Sequence, residues 1–292
     1  MPRQDWVQII NIFENKQEDY IKNFLISNEI FCPSESCENI FDKTYNAFSA
    51  KLLEKANPAN WIPIYKRGDL SEYLLKNNLM PVRCGQGEFF FYRGKIIFDL
   101  TVLKYDIVLI DKIENVETFT PLTLQKFHRN ENAYLNKALA MGILNHFLDS
   151  KSLEVFEEVL IRDDYRRLLY GQFGKIKTNF ELEFKTTKGS RPINKGFQFE
   201  IDLVLENRDE IIIFEAKQGT KARENFILLQ LYYPLVYLSA ITKKKKKIRT
   251  VFIDIEAENE ECYRLTEFLF SDEYFDKIQI QKSVLYQNYF HR

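Results

Sequence analysis

Asp202, Glu215 and Lys217 fall within one short stretch, Phe197 to Lys217, that reads FQFEIDLVLENRDEIIIFEAK. Two carboxylates offer the hard oxygen donors that Mg²⁺ prefers, and a bound Mg²⁺ neutralises phosphoryl charge and acidifies a water ligand. A lysine beside them stabilises charge developing on a phosphorane or orients the attacking water. Together these groups suit metal-dependent hydrolysis of a phosphodiester.

Such chemistry requires the three side chains on one side of a sheet. Successive strand residues point to opposite faces. Phe197, Phe199, Ile201, Leu203 and Leu205 therefore take one face, and Gln198, Glu200, Asp202 and Val204 the other. Glu206, Asn207, Arg208 and Asp209 form a turn-prone polar cluster. In the run that follows, Ile212, Phe214 and Ala216 alternate with Ile211, Ile213, Glu215 and Lys217. A tight turn at Asn207 and Arg208 sets Asp202 opposite Ile213, and a turn two residues longer sets it opposite Glu215. Either register keeps Asp202, Glu215 and Lys217 together, whereas a one-residue slip buries the acids. Glu200 shares the face of Asp202 and is the candidate third metal ligand.

Asp202 followed across a hairpin by Glu215-Ala216-Lys217 resembles the motif of the PD-(D/E)XK nucleases, with Ile201 where many members carry proline. The resemblance covers Phe197 to Lys217, with weaker support to about Ile255. It implies a mixed central sheet flanked by helices, Mg²⁺-dependent hydrolysis of DNA, and catalytic roles for Asp202, Glu215 and Lys217. Gln230 followed by Tyr233 is similar to the glutamine-tyrosine signature of the RecB-like branch, one residue short in spacing, which adds Gln230 to the candidates. Family members often donate a further acid from a helix preceding the sheet. Asp149, Glu157, Glu158, Asp163 and Asp164 are equivalent candidates by sequence.

Around the motif the sequence predicts a helix over about Lys221 to Ile241, kinked at Pro234, a buried strand over Ile248 to Ile255, a short helix near Glu260 to Leu269 and a last strand near Ile278 to Tyr286. Upstream it predicts helices over Glu131 to Asp149 and Leu153 to Tyr170, a strand over Phe180 to Lys185 and a turn-like connection over Arg191 to Lys195. The formal net charge is −1, but nine Lys/Arg stand against four Asp/Glu from Arg162 to Lys195, and nine against one from Lys217 to Arg249. Basic segments flanking an acidic metal site suit a polyphosphate backbone. Lys221 and Arg223 are the preferred backbone contacts. Lys243 to Lys247 serves equally well as a solvated connection.

Hydrophobic content of 45% with 25 Phe and 16 Tyr excludes intrinsic disorder. No apolar run is long enough for a membrane span, the start MPRQDWVQII lacks an apolar signal core, and the four cysteines form no disulfide framework; a cytoplasmic protein is expected. The fold class expected is α/β (α+β) in two parts. Helices near Trp6 to Phe13, Gln17 to Ile26, Cys37 to Lys55 and Asp69 to Asn77, followed by a hairpin over Glu88 to Leu100 turning at Arg93-Gly94, make residues 1–120 an α+β recognition module, an order that a winged helix shares with other α+β modules. Residues 121–292 form the catalytic domain. Met80 to Glu88 reads as a turn at a DNA surface. The function expected is that of a type II restriction endonuclease cutting double-stranded DNA as a homodimer, with a separate cognate methyltransferase as partner. A structure-specific repair nuclease and a DNA-binding protein with a vestigial nuclease fold are the alternatives.

Overall fold

The computed structural model describes residues 30–31, 75–76, 78–85, 89–110, 131–149, 166–168, 176–207, 209–256 and 262–287. The helices predicted near Trp6 to Phe13, Gln17 to Ile26 and Cys37 to Lys55 lie outside the described residues, as does most of the one predicted over Asp69 to Asn77. The first part contributes β1 (Ile30–Phe31), β2 (Leu79–Arg83), β3 (Phe89–Arg93), β4 (Ile97–Phe98) and β5 (Asp106–Leu109). Helices α1 (Glu131–Ala140) and α2 (Ile143–Asp149) follow, then β6 (Arg166–Leu168), β7 (Ile176–Lys177), β8 (Leu182–Thr186), β9 (Gly189–Ile193), β10 (Gln198–Phe199), β11 (Leu203–Glu206) and β12 (Glu210–Gln218). The chain continues through α3 (Thr220–Glu224), β13 (Phe226–Ile227), α4 (Leu229–Ile241), β14 (Lys247–Glu256), β15 (Cys262–Phe270) and β16 (Ile278–Gln287).

Seven strands form a mixed central sheet in the order β5-β16-β15-β14-β12-β11-β6. β12 runs parallel to β14 and β16 parallel to β5, while the remaining neighbours are antiparallel. The apolar run IIIF in β12 reflects burial on both faces, the usual condition of an interior strand covered by helices. Ile212, Phe214 and Ala216 join Val251, Ile253 and Ile255 of β14 against α1 and α2, where Leu135, Leu144 and Phe147 complete the layer. Ile211 and Ile213 point the other way with Phe252, against Leu231, Tyr232 and Leu235 of α4. Each such fully buried side chain contributes about 1.5–3 kcal/mol. The structure is thus α+β, a mixed sheet with helices on both faces.

α4 is buried nearly all round, which holds Pro234 inside a helix although the missing N–H leaves the Gln230 carbonyl without its usual partner. The predicted single helix over Lys221 to Ile241 is instead split. After α3 the chain straightens into β13, which pairs with β4, and only then enters α4. Other elements also differ from expectation. The segment near Glu260 to Leu269 is strand β15, because its residues alternate between the two cores, Tyr263 and Leu265 on one and Phe268 and Phe270 on the other. Arg166–Leu168, inside a predicted helix, extends the sheet as β6 beside β11. Arg191 to Ile193 belongs to β9, which closes a hairpin with β8, and this pair stands apart from the central sheet.

The N-terminal hairpin also departs from the predicted form. β3 pairs with β2, so Met80 to Arg83 is strand and the turn falls after it, while Ile97 and Phe98 pair with β13. Met80, Val82, Tyr92, Ile96 and Leu100 share the core of α4, and β5 forms an edge of the central sheet. Residues 79–110, assigned by sequence to the N-terminal module, are therefore continuous in core and sheet with the C-terminal part. Arg83 turns inward at its backbone, whose carbonyl accepts the Tyr233 hydroxyl at 2.8 Å. Among the described residues no helix is long and apolar enough to cross a membrane. Cys84 and Cys262 are buried thiols, and Cys32 and Cys37 lie outside the described residues.

Candidate active site

β11 and β12 pair with Leu203 opposite Phe214 and Glu206 opposite Ile211, the longer-turn register, which brings Asp202 to the level of Glu215. Asn207 makes that turn. Its backbone N–H donates to the Glu210 carbonyl at 3.0 Å, and its side-chain oxygen accepts the N–H groups of Asp209 at 2.9 Å and Glu210 at 2.8 Å. The strand predicted from Phe197 to Leu205 is not continuous, however. β10 pairs with β7 in a separate ribbon, the chain bends at Asp202, and β11 begins at Leu203. The bend reverses the parity: Phe197, Phe199 and Ile201 enter the α4 core, whereas Leu203 and Leu205 enter the α1–α2 core. At the bend the Asp202 carboxylate accepts the backbone N–H of Ala216 at 2.8 Å, which fixes it against the end of β12.

Glu215 is 4% exposed, deep between the layers. Lys217 Nζ lies 2.6 Å from Glu215 Oε1, donates to the Ala216 carbonyl at 3.0 Å and stands 3.7 Å from Glu131 Oε2. Glu131 is the first residue of α1, where a carboxylate also complements the helix dipole. Its other oxygen accepts the Gln218 N–H at 3.3 Å, tying the helix start to the strand end. The cluster sits at the C-terminal end of β12, beside Gly219, whose φ of 96° allows the sharp exit into α3. Carboxyl ends of parallel strands are where open sheets with flanking helices bind ligands.

Burial pushes the Glu215 carboxyl up to about 8, despite the opposing pull of Lys217, with Asp202 and Glu131 adding to the rise. The same three carboxylates hold Lys217 protonated, its pKa raised against a desolvation that favours the neutral amine. The cluster is therefore one ammonium among three carboxyl groups, with burial favouring the protonated form of Glu215. Among the described residues no three His, Cys, Asp or Glu side chains are gathered into an all-protein metal cage. The donors nevertheless fit Mg²⁺, which takes one or two carboxylates and fills its octahedron with water and substrate phosphate. Asp202 and Glu215 are the two carboxylates that meet at this strand end.

The other predicted residues have different fates. Glu200 is exposed at the bend and Gln230 half-buried in the first turn of α4; the ion pairs and hydrogen bonds of the cluster run through Glu131, Asp202, Glu215 and Lys217 instead. Tyr233, the partner of Gln230 in the sequence signature, anchors β2. Lys221 is exposed on α3. Arg223, expected to be a solvent-facing phosphate contact, has its guanidinium drawn inward, with Nε 2.8 Å from Asp254 Oδ2 and Nη2 3.8 Å from Glu256. Lys243 to Lys247 leads into the N-terminal end of β14, and Lys247 pairs with Glu210 while Asp254 pairs with Lys217. Seven residues of strand separate those levels, roughly 23 Å. Lys244 pairs with Glu273 at 3.0 Å and Lys246 with Glu206, so this run braces the end of the sheet opposite the candidate site.

Glu131 was not among the acids named from sequence, although it opens a helix that the pattern does predict. Of those named, Asp149 ends α2, and Glu157, Glu158, Asp163 and Asp164 lie outside the described residues.

Comparison with curated proteins and with solved structures gives no match. A family model described as "Domain of unknown function (DUF6997)" matches residues 103–287, a span that holds the whole central sheet, α1 and all four residues of the cluster, and the chain belongs to that family.

Proposed function

We propose that this protein is a Mg²⁺-dependent nuclease of the PD-(D/E)XK type that hydrolyses phosphodiester bonds of double-stranded DNA. The reading rests on one observation: Asp202, Glu215 and Lys217 meet at the carboxyl end of a buried strand, with Glu131 closing the group from a helix start. A buried carboxylate costs several kcal/mol unless paired or used, which argues against decoration.

Asp202 and Glu215 would hold Mg²⁺, which supplies Lewis acidity toward the phosphate and an acidified water. Asp202 is pre-oriented by the Ala216 N–H, so its free oxygen is presented without a search through rotamers. Lys217 is charged and held at the strand end, in position to meet a non-bridging phosphate oxygen as negative charge grows there. Glu131, half-exposed beside Lys217, is an acceptor for the proton of an attacking water.

Within this reading, restriction-type cleavage at a defined sequence draws on the N-terminal residues for base recognition, and a homodimer supplies two sites for two strands. Incubating the purified protein with several unmethylated plasmids in Mg²⁺ or EDTA tests it. Discrete Mg²⁺-dependent fragments with a shared end sequence, lost in Asp202→Asn, are expected. Ladders or resected ends would move the reading to a structure-specific nuclease. Salt-dependent DNA binding with no cutting on any substrate would leave a vestigial nuclease fold.

A further inference from the structure

A second polar group lies one strand away from the cluster, on the same face of the sheet. Asp254 is the cross-strand partner of Lys217 and Arg264 the partner of Asp254. Asp254 interrupts the apolar run Val251 to Ile255 and is 1% exposed. Two guanidiniums converge on it: Arg223 Nε at 2.8 Å and Arg264 Nη1 at 3.4 Å, both from Oδ2. The same two arginines also meet on one oxygen of Glu256, Arg264 Nη1 at 2.7 Å and Arg223 Nη2 at 3.8 Å from Oε2. The two acids differ in position. Asp254 is the inner anchor, its side chain 2% exposed, whereas the Glu256 side chain is 33% exposed and reaches the pair from outside.

Polar capacity in this group exceeds what the protein uses. Asp254 Oδ1 and Arg223 Nε are buried and lack a hydrogen bond of good geometry. Burial raises Asp254 to about 6 in spite of its two arginines. A carboxylate so placed is costly unless the pair it organises is needed. What it organises is two adjacent forks of N–H donors, the geometry that accepts phosphate oxygens bidentately.

We infer that Arg223 and Arg264, set side by side by Asp254, form a phosphate subsite for the nucleic-acid strand next to the scissile bond, with Glu256 occupying it until substrate arrives. The inference rests on the nuclease reading of the neighbouring cluster. Glu256 is one strand across and two residues beyond Lys217, a backbone separation of roughly 8 Å. That is about two nucleotide steps along a nucleic-acid strand whose residues rise ~3.4 Å each. An incoming phosphate displaces a half-exposed carboxylate and leaves the inner salt bridge intact. Arg223 is carried by α3 directly after the catalytic strand, and its carbonyl accepts the Leu100 N–H at 2.8 Å, so the fork has support on both sides.

The test is equilibrium binding of a labelled duplex oligonucleotide in EDTA, over a series of salt concentrations, to wild type, Glu256→Gln and Arg264→Lys. Removing the competing carboxylate is expected to tighten binding ~5-fold. Arg264→Lys keeps a charge and loses the fork, and is expected to weaken binding ~5- to 10-fold. Arg264→Gln, where it folds, should also lower the salt slope by about 0.9, the loss of one phosphate contact. Wild-type affinity and slope in both Glu256→Gln and Arg264→Lys, with unchanged melting, would overturn the subsite while leaving the nuclease reading standing. A wild type that binds no duplex at any salt would overturn both.

Discussion

Replacing Glu215 by glutamine should stabilise the metal-free protein, and the gain should depend on pH in a way that only this carboxyl explains. Its folded pKa of about 8 lies above the ordinary value of 4.5, so the folded state holds a proton that the unfolded chain gives up. Stability linked to this group is fully present below pH 4.5 and is lost as pH rises through 8. Glutamine mimics the protonated acid, so wild type and variant should coincide near pH 4.5. Linkage then puts the variant ahead by about 3 kcal/mol at pH 7, and further ahead by pH 8.5. Urea unfolding in EDTA at pH 5, 7 and 8.5 reads the difference, since titrating groups away from the cluster cancel between the two proteins. Adding Mg²⁺ at pH 7.5 should close most of the gap. Wild type gains about 2.7 kcal/mol at a hundredfold excess over its dissociation constant, and the variant gains nothing. A difference that stays flat with pH, or a wild type more stable than the variant at pH 8.5 in EDTA, would refute the assignment of a raised, uncompensated acid at this position.

Further outcomes follow from the same geometry. Lys217→Ala should lower cleavage by about 10²–10³-fold while the Mg²⁺-dependent gain in stability persists, measured by single-turnover cleavage and thermal unfolding. Glu131→Gln should retain the fold and lower cleavage, and equal activity across pH 6 to 9 would remove Glu131 from the site. Neutralising Lys243, Lys245 and Lys247 together should leave oligonucleotide affinity within about twofold, because these residues lie at the opposite end of the sheet from the cluster. Tyr233→Phe should cost about 1–2 kcal/mol in urea unfolding, by leaving the Arg83 carbonyl without its buried donor.

The pattern of β11 and β12 was legible in the sequence because a buried strand pair leaves little freedom. Alternation sorts Ile212 and Phe214 from Ile211 and Ile213 and so sets Glu215 and Lys217 on one face, while the bend that brings Asp202 to the level of Glu215 reverses the parity the pattern predicts. β14 and β16 were legible for the same reason. Lys221 to Ile241 misled because an all-apolar run such as LQLYYPLVYL has no polar face to phase it, and the break at Asn225 to Ile227 comes from pairing with β4, more than a hundred residues upstream. β15 was misread because its acid and threonine, Glu267 and Thr266, break the alternation. Glu267 is present there to meet Arg249, at 2.7 Å across the sheet.

Residue types and local spacing therefore determined the chemistry on offer, a carboxylate pair and a lysine brought together by a hairpin. Which other groups join them was decided only by tertiary structure. Glu131 reaches Lys217 because α1 packs its first turn on the end of β12, and Arg223 turns from solvent to Asp254 because a parallel crossover brings β14 alongside. Such pairings join residues tens of positions apart, through packing energies that no local pattern encodes.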